Sequence, residues 1–233
     1  MARLARVVAP GLPHHVTQRG NRRQNVFFSK ADYALYLELL QYHCRKERVT
    51  ILSYCLMPNH VHLIAVPKSA ESLSRALGEA HRRYTRRVNA AREWRGHLWQ
   101  ERFASFAMDE SHLLMAARYI ELNPLRAGLV RTPAKYAWSS VHAHLAGKDD
   151  GLVSVKPLLD LVVDWPAFLR QGLSDNELRA LRQHQRTGRP AGNDKFIGRL
   201  EKRLERILKK QKPGPKPSPA GDEGLAVRRA PGA

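Results

Sequence analysis

The sequence predicts an α/β (α+β) fold in which a split βαβ core with an antiparallel sheet is followed by a helical C-terminal extension. Between residues 10 and 130, apolar residues alternate or recur at helical spacing in the order strand, helix, strand, strand, helix, strand. Beyond Tyr136 only helical patterns recur, with breaks at Pro157 and Pro166. Because the first pattern twice places a helix between two strands, it favours the ferredoxin-like arrangement.

The first half of the core pattern comprises a strand, a helix and a second strand. Residues 14–18, HHVTQ, alternate as a short strand does, and the turn-like RGNRRQN follows them. Ser29 can cap a helix over residues 30–47, and residues 49–57 have the composition of a strand. The expected buried face of the helix consists of Tyr33, Leu37, Leu40 and Cys44.

The second half repeats the pattern after a tight turn. Pro58-Asn59 supplies the turn, since Pro presets φ and Asn tolerates the left-handed region, and residues 60–66 form the returning strand. A helix over residues 70–92 follows, and a short strand beginning near residue 103 closes the core. The apolar stripe of this helix is expected to consist of Leu73, Leu77, Ala80, Tyr84, Val88 and Ala91.

The remaining elements are helical. Asp109 can cap a helix that runs through Leu122 and stops at Asn123-Pro124. A capping box at residues 174–177 precedes another helix, and a last amphipathic helix uses Ile197, Leu200, Leu204 and Ile207. The chain therefore divides into a core over residues 10–130, a basic helical extension over 131–211, and a Pro- and Lys-rich tail over 212–233 that we expect to be disordered.

Charge restricts the class of partner. Forty Lys and Arg residues against 21 Asp and Glu give the 233-residue chain a net charge of +19, which indicates a polyanion. The basic residues are spread along the chain, so nucleic acid is favoured over a membrane surface. No apolar run of about 18 residues or secretory signal is evident, and two unclustered cysteines suit a reducing compartment. We therefore expect a cytoplasmic, nucleoid-associated protein.

Two histidines share one face of the predicted third strand. His60 and His62 flank Val61 in MPNHVHLI, and side chains two residues apart on a strand point the same way, with Cα atoms about 6–7 Å apart. That spacing suits joint binding of one metal ion. Two ligands are too few for a closed site, and with so few cysteines the missing ligands are expected to be oxygen donors. The alternative is a pair of satisfied core histidines.

The segment RYIELNP is the best candidate for the missing groups. Tyr119 and Asn123 are four residues apart and therefore neighbours on one helix face. Asn123 could offer an amide oxygen to a metal, and Tyr119, which is expected to border the core, a phenolic nucleophile. The alternatives are a tyrosine at the rim of the core and an Asn-Pro helix stop.

Basic side chains and tryptophans indicate a nucleic-acid surface. Arginines cluster away from the apolar stripe of the second predicted helix, and Trp94 and Trp99 follow it. A basic groove with aromatic platforms is how proteins hold single strands. The alternative is a solvated basic face with core tryptophans. The expected DNA contacts are Arg82, Arg83, Arg86 and Arg87 in this helix, with Arg19, Arg22 and Arg23 near the start of the chain.

Together these segments resemble a known family. PNHVHLI and, some fifty-five residues later, RYIELNPLRAGLV are similar to the HUH single-strand transposases with one catalytic tyrosine, and most similar to the REP-associated tyrosine transposases. HHVTQRGNRRQNVFF, LWQERFASFAM and YAWSSVHAHLAG fit the same group. The resemblance covers roughly residues 10–210 and departs from the family in the tail after Lys212.

The resemblance implies an activity and a set of site residues. It implies that residues 10–130 form the catalytic domain and that His60, His62 and Asn123 bind Mg²⁺ or Mn²⁺. It implies that Tyr119 attacks single-stranded DNA at palindromic hairpin repeats and forms a 5′-phosphotyrosine. Glu121 and Glu110 are candidates, beside the metal, for helping the phenol lose its proton. Because some members place the tyrosine of one subunit in the site of another, a homodimer is among the expectations.

Two other readings use the same residues. A host-domesticated single-strand endonuclease would have identical chemistry, and repeat hairpins around the gene without a mobile unit would indicate it. A non-catalytic nucleic-acid-binding protein would have lost part of the site. The joint presence of His60, His62, Tyr119 and Asn123 argues against the second reading.

Overall fold

The computed structural model describes residues 6–209, and within them a four-stranded antiparallel sheet forms the centre of the molecule. Its strands are β1 (His14–Arg19), β2 (Val49–Met57), β3 (His60–Pro67) and β4 (Ala104–Ala107), in the spatial order β2-β3-β1-β4. This order, with helices after β1 and β3, confirms the predicted α+β class and its ferredoxin-like core. The predicted tail over residues 212–233 lies outside the described residues.

Helices cover both faces of the sheet. Those of the described chain are α1 (Lys30–Lys46), α2 (Ser72–Arg92), α3 (Glu110–Glu121), α4 (Asn123–Arg126), α5 (Val141–Ala146), α6 (Lys156–Leu159), α7 (Trp165–Arg170), α8 (Asp175–Thr187) and α9 (Asp194–Leu204). The expected start signals act as caps: Ser29 accepts from the backbone N–H of Asp32, and Asp109 accepts from that of His112.

Helices α1 and α2 pack on one face of the sheet, where they enclose the larger apolar cluster. The predicted face of α1 is partly wrong: Tyr36, Leu40, His43 and Cys44 are buried, whereas Tyr33 and Leu37 are half-buried. The reason is that the Tyr36 ring packs against Tyr84 and His81 of α2. The Tyr33 ring instead stacks between Phe27 and Trp138 at the side of the interface between α1 and α2. In α2 the predicted stripe is buried except for Ala91, which is exposed.

The opposite face of the sheet is covered by α3 and by the C-terminal extension. Ile64, Phe106, Ile120 and Trp165 belong to one apolar cluster, so its packing crosses the division we predicted at residue 130. The extension also follows the edge of β2, where the Leu56 backbone N–H donates to the Trp138 carbonyl at 2.9 Å. Residues 131–209 therefore complete the same core.

Helix α9 closes the molecule against its N-terminal segment. Phe196, Leu200 and Leu208 pack with Val7 and Ala9 in a third apolar cluster. The predicted last helix is shorter than expected, because it ends at Leu204 and leaves Ile207 64% exposed. The turn that follows helix α9 instead directs Leu208 inward. No helix in residues 6–209 is long and apolar enough to cross a membrane.

Candidate active site

The histidine strand is oriented by its pairing with β1. His62 lies opposite Thr17 and His60 opposite Arg19, and the imidazole ring centroids are 5.0 Å apart. Val61 faces the other side, where it is buried in the cluster under α1 and α2. The strand period of two therefore puts both imidazoles on one face of the sheet, as predicted, and in the structure this face meets Tyr119 of α3.

Burial keeps these imidazoles neutral. It lowers the pKa of His60 to about 4, with a smaller effect from the Arg19 charge. Burial also lowers the pKa of His62 well below its usual range, assisted by His60 and His15. A neutral imidazole has a lone pair for a metal ion, so both rings are in the ligand form at neutral pH.

A third histidine, which sequence reasoning did not select, joins the pair. His15 of β1 is buried, and its Nε2 lies 3.0 Å from Nδ1 of His62. The segment HHVTQ could have revealed His15, because side chains alternate along a strand and His15 shares a face with Thr17. Thr17 lies opposite His62 in the sheet. His60 is held differently, with its Nδ1 2.5 Å from Oδ1 of Asn59. Nδ1 of His60 and Nδ1 of His62 each lie within hydrogen-bond distance of a partner, whereas neither Nε2 atom has a hydrogen bond within the described residues.

Tyr119 faces this cluster from α3. Its ring centroid lies 5.4 Å from that of His62 and 6.0 Å from that of His15. The side chain is buried, yet it lines an open cleft together with both strand histidines. The guanidinium of Arg126 lies 5.1 Å from the centroid of the phenol ring.

Neither glutamate that we considered as a proton acceptor faces the phenol. Glu121 is fully buried and accepts hydrogen bonds from Ser140 Oγ at 2.9 Å and Trp165 Nε1 at 2.8 Å. One of its oxygens also lies 2.6 Å from His144 Nδ1. Glu110 is exposed at the start of α3. The Glu121 carboxylate therefore joins α3 to α5 and α7 and is not available to Tyr119.

Asn123 lies next to this group but outside the cleft wall. It begins α4 one turn after Tyr119, it is buried, and its Nδ2 has no hydrogen-bond partner among the described residues. No group of three or more His, Cys, Asp or Glu residues that could hold a metal ion occurs within residues 6–209. The two neutral imidazoles could hold a divalent cation only if amide or phosphate oxygens completed the ligand set.

The cleft around Tyr119 and the histidines, which we call the histidine cleft, has a volume of about 510 Å³. Helix α8 of the extension forms one wall and is tied to α3 by an Arg118–Glu177 ion pair of 3.0 Å. This extension therefore contributes part of the candidate site. Arginines in the cleft wall are Arg19, Arg23, Arg102, Arg182 and Arg186.

The structure separates the arginines that we expected to contact DNA. Arg82 and Arg86 line a second cavity, whereas Arg22, Arg83 and Arg87 line neither. Arg83 instead faces α1, where its charge adds to burial in lowering the pKa of His43. The expected aromatic platforms also differ. Trp94 is 41% exposed, but Trp99 is a core residue whose ring contacts His81.

Comparisons with known proteins find a family model and solved structures that are similar to this chain. The family model for IS200-like transposases matches residues 10–123. A REP-associated tyrosine transposase solved bound to a REP hairpin superposes with a TM-score of 0.55 at 22% identity, over 66% of this chain and 90% of that one. A protein of Deinococcus radiodurans R1, provisionally named a transposase, gives a TM-score of 0.37 at 19% identity, over 52% and 96% of the two chains. None of the curated proteins matches the sequence.

Proposed function

We propose, from the match of residues 10–123 to the family model for IS200-like transposases, that this chain cleaves and rejoins single-stranded DNA at hairpin repeats with Tyr119 as the nucleophile. The observation that carries the proposal is the position of the phenol ring, 5.4 Å from the His62 ring on the floor of an arginine-lined cleft. A nucleophile, two neutral imidazoles and phosphate-binding cations then meet at one point.

The reaction is a transesterification at phosphorus. Oη of Tyr119 attacks the phosphorus of the scissile phosphodiester, the P–O3′ bond breaks, and the 3′ oxygen leaves as a hydroxyl. The product is a phosphotyrosine joined to the 5′ end of the DNA. Attack by another strand's 3′-OH reverses the step and frees the phenol, so joining needs no ATP.

His60 and His62 would hold a divalent cation, Mg²⁺ or Mn²⁺, and Asn123 is the proposed third ligand. When bound, such an ion neutralises charge that develops on the scissile phosphate and its leaving oxygen. The unengaged Nε2 atoms of both histidines support this assignment. For Asn123 the support is its place one helical turn after Tyr119.

Arginines on both sides of the cleft would hold the DNA backbone. Arg23 lies in a turn where it adopts a left-handed conformation with φ of 63°, and its carbonyl accepts from Asn59 Nδ2 at 3.0 Å. Such strained residues concentrate at binding and catalytic sites. Arg19, Arg182 and Arg186 surround the same cleft. A hairpin substrate is supported by the REP hairpin bound to the solved relative.

The test is covalent adduct formation. The protein is incubated with labelled single-stranded hairpins carrying single-stranded flanks, in Mn²⁺ or Mg²⁺, and run on a denaturing gel. We expect an adduct from the wild type and none from Tyr119→Phe, which keeps the ring and should retain DNA binding. His60→Ala should lose the adduct while it still binds DNA. An adduct that persists in Tyr119→Phe would remove Tyr119 as the nucleophile.

A further inference from the structure

A second cavity lies beside the histidine cleft and has no part in the chemistry proposed above. It has a volume of about 950 Å³ and lies between α2 and residues 96–103, so we call it the α2 cavity. This volume is within the range of about 300–1,000 Å³ that is usual for small-molecule sites. It is therefore large enough for a nucleotide.

The walls of the α2 cavity combine an apolar floor with cations. Leu98 and Trp99 supply apolar and aromatic surface, and the Arg6 guanidinium lies 3.6 Å over the ring of Phe103. The exposed arginines Arg82 and Arg86 come from successive turns of α2. Glu79 binds Arg82 but also Arg83, so one carboxylate is shared by two guanidinium groups. The cavity wall therefore has a net positive charge beside apolar surface, which suits a ligand with an apolar ring and an anionic group.

Gly78 leaves this wall open. It lies in the middle of α2, where glycine is unfavourable, and a Cβ atom built at this position would meet nothing within 4 Å. Packing therefore does not require glycine at this position. A larger side chain there would enter the space between α2 and residues 96–103.

The α2 cavity adjoins the histidine cleft. Gln18, Gln100, Glu101 and Arg102 line both spaces and form the ridge between them. This ridge is fixed to β1: Gln18 Nε2 donates to the Glu101 carbonyl at 2.6 Å, and the Gln100 backbone N–H donates to the Arg19 carbonyl at 2.9 Å. A DNA strand whose phosphate lies in the histidine cleft can therefore cross this ridge and place its next nucleotide in the α2 cavity.

We propose that the α2 cavity holds one unpaired nucleotide of the substrate strand, with its base at the apolar floor formed by Leu98 and Trp99 and its phosphate on Arg82 and Arg86. This assignment rests on the proposed function for the DNA strand itself. It adds a second contact point, next to the scissile phosphate, that favours single-stranded over paired DNA, because a paired base would first have to leave its stack and its partner.

The experiment is an abasic scan. Binding of Tyr119→Phe protein to a hairpin with single-stranded flanks is measured by fluorescence anisotropy, with each flank nucleotide in turn replaced by an abasic one. The Tyr119→Phe background keeps cleavage out of the measurement. At the nucleotide that occupies the cavity, loss of the base should weaken binding on the order of tenfold, the usual effect of losing one stacked base.

Variants then identify the cavity. Gly78→Leu raises helix propensity and fills the cavity, so it should fold and should abolish the abasic penalty at that nucleotide alone. Arg86→Ala should reduce the penalty at the same nucleotide. Arg87→Ala removes the same charge from the adjacent position outside the cavity, so it should weaken intact and abasic strands equally.

The proposal is wrong if Gly78→Leu still loses affinity on every abasic substitution that weakens the Tyr119→Phe protein. It is also wrong if Arg86→Ala and Arg87→Ala have the same effect on binding. Failure of the proposed function has a different signature, namely the absence of a covalent adduct from the wild type. If an abasic substitution weakens binding at one position but the wild type forms no adduct, the cavity binds DNA and the proposed transesterification is wrong.

Discussion

Nε2 of His15 lies 3.0 Å from Nδ1 of His62, and this contact decides which nitrogen of His62 faces the cleft. If His62 is to present a lone pair at Nε2, its proton must be on Nδ1 and donate to His15. His15 then carries its own proton on Nδ1, which is buried and has no partner within the described residues. Second ligand shells of this kind orient metal-binding histidines.

Replacement of His15 therefore tests the orientation of His62. His15→Phe keeps an aromatic ring but removes the acceptor, so we expect divalent-metal affinity to fall roughly 10- to 100-fold with DNA binding retained. His15→Gln restores an acceptor and should recover much of the loss. Mn²⁺ titration followed by adduct yield measures both, and equal curves for His15→Phe and the wild type would show that the contact does not orient His62.

Asn123→Ala tests the proposed third metal ligand. We expect half-maximal adduct formation to need more Mn²⁺, with the adduct still forming at saturation because Tyr119 is intact. Gln185→Ala is the matched control, since Gln185 presents an amide in the cleft wall with its Nε2 also unpaired within residues 6–209. A shifted metal curve for Gln185→Ala alone would transfer the role to Gln185.

Glu121→Ala should strongly destabilise the protein. It leaves the buried donors of Ser140, Trp165 and His144 without their shared acceptor, and breaking a buried charged network costs about 3–5 kcal/mol. Urea unfolding gives the free energy. Glu110→Ala, on the exposed face of the same helix, should change stability by no more than about 0.5 kcal/mol. Comparable losses for the two variants would contradict the structural role of the network.

Arg186→Ala tests whether α8 contacts the DNA backbone. Losing one phosphate contact to single-stranded DNA should lower the slope of log K against log salt by about 0.7. Arg179→Ala removes a charge from an exposed position of α8 outside the cleft and should leave the slope near the wild-type value. The slopes come from binding isotherms over a series of salt concentrations, and a steeper change for Arg179→Ala would place the DNA elsewhere.

Buried histidines predict loss of stability in mild acid. Burial lowers the pKa of His14 to about 4 and that of His81 to about 3, from an ordinary value of 6.5. The unfolded chain then binds more protons than the folded one below pH 6.5, so stability is full above that pH and falls as pH decreases toward 4. Each such histidine contributes about 1.4 kcal/mol per pH unit within the window.

Urea midpoints between pH 7.5 and 5 measure this dependence. His81→Gln retains a partner for the Tyr36 hydroxyl, which lies 2.8 Å from His81 Nε2, but it does not titrate. Its pH slope should be smaller by about one proton. A wild-type midpoint that stays constant over the range would contradict neutral burial of these rings.

Several features could be predicted from the sequence because they depend on short-range interactions. The order of strands and helices, the caps at Ser29 and Asp109, and the shared face of His60 and His62 depend on residues close together in the chain. The adjacency of Tyr119 and Asn123 follows from helix periodicity in the same way. The motifs containing these residues also made the family resemblance recognisable.

Only the tertiary structure decided which of these faces meet. His15 joins His62 across 47 positions of sequence because β1 lies between β3 and β4. Trp99 became a core residue because α1 and α2 converge on it, and Glu121 became a structural anchor because α5 and α7 supply its donors. The face of α2 that carries Arg82 meets a cavity, while Arg83 meets α1. Periodicity determines the face that a side chain occupies, but its neighbours depend on strand order and helix packing, which distant residues determine.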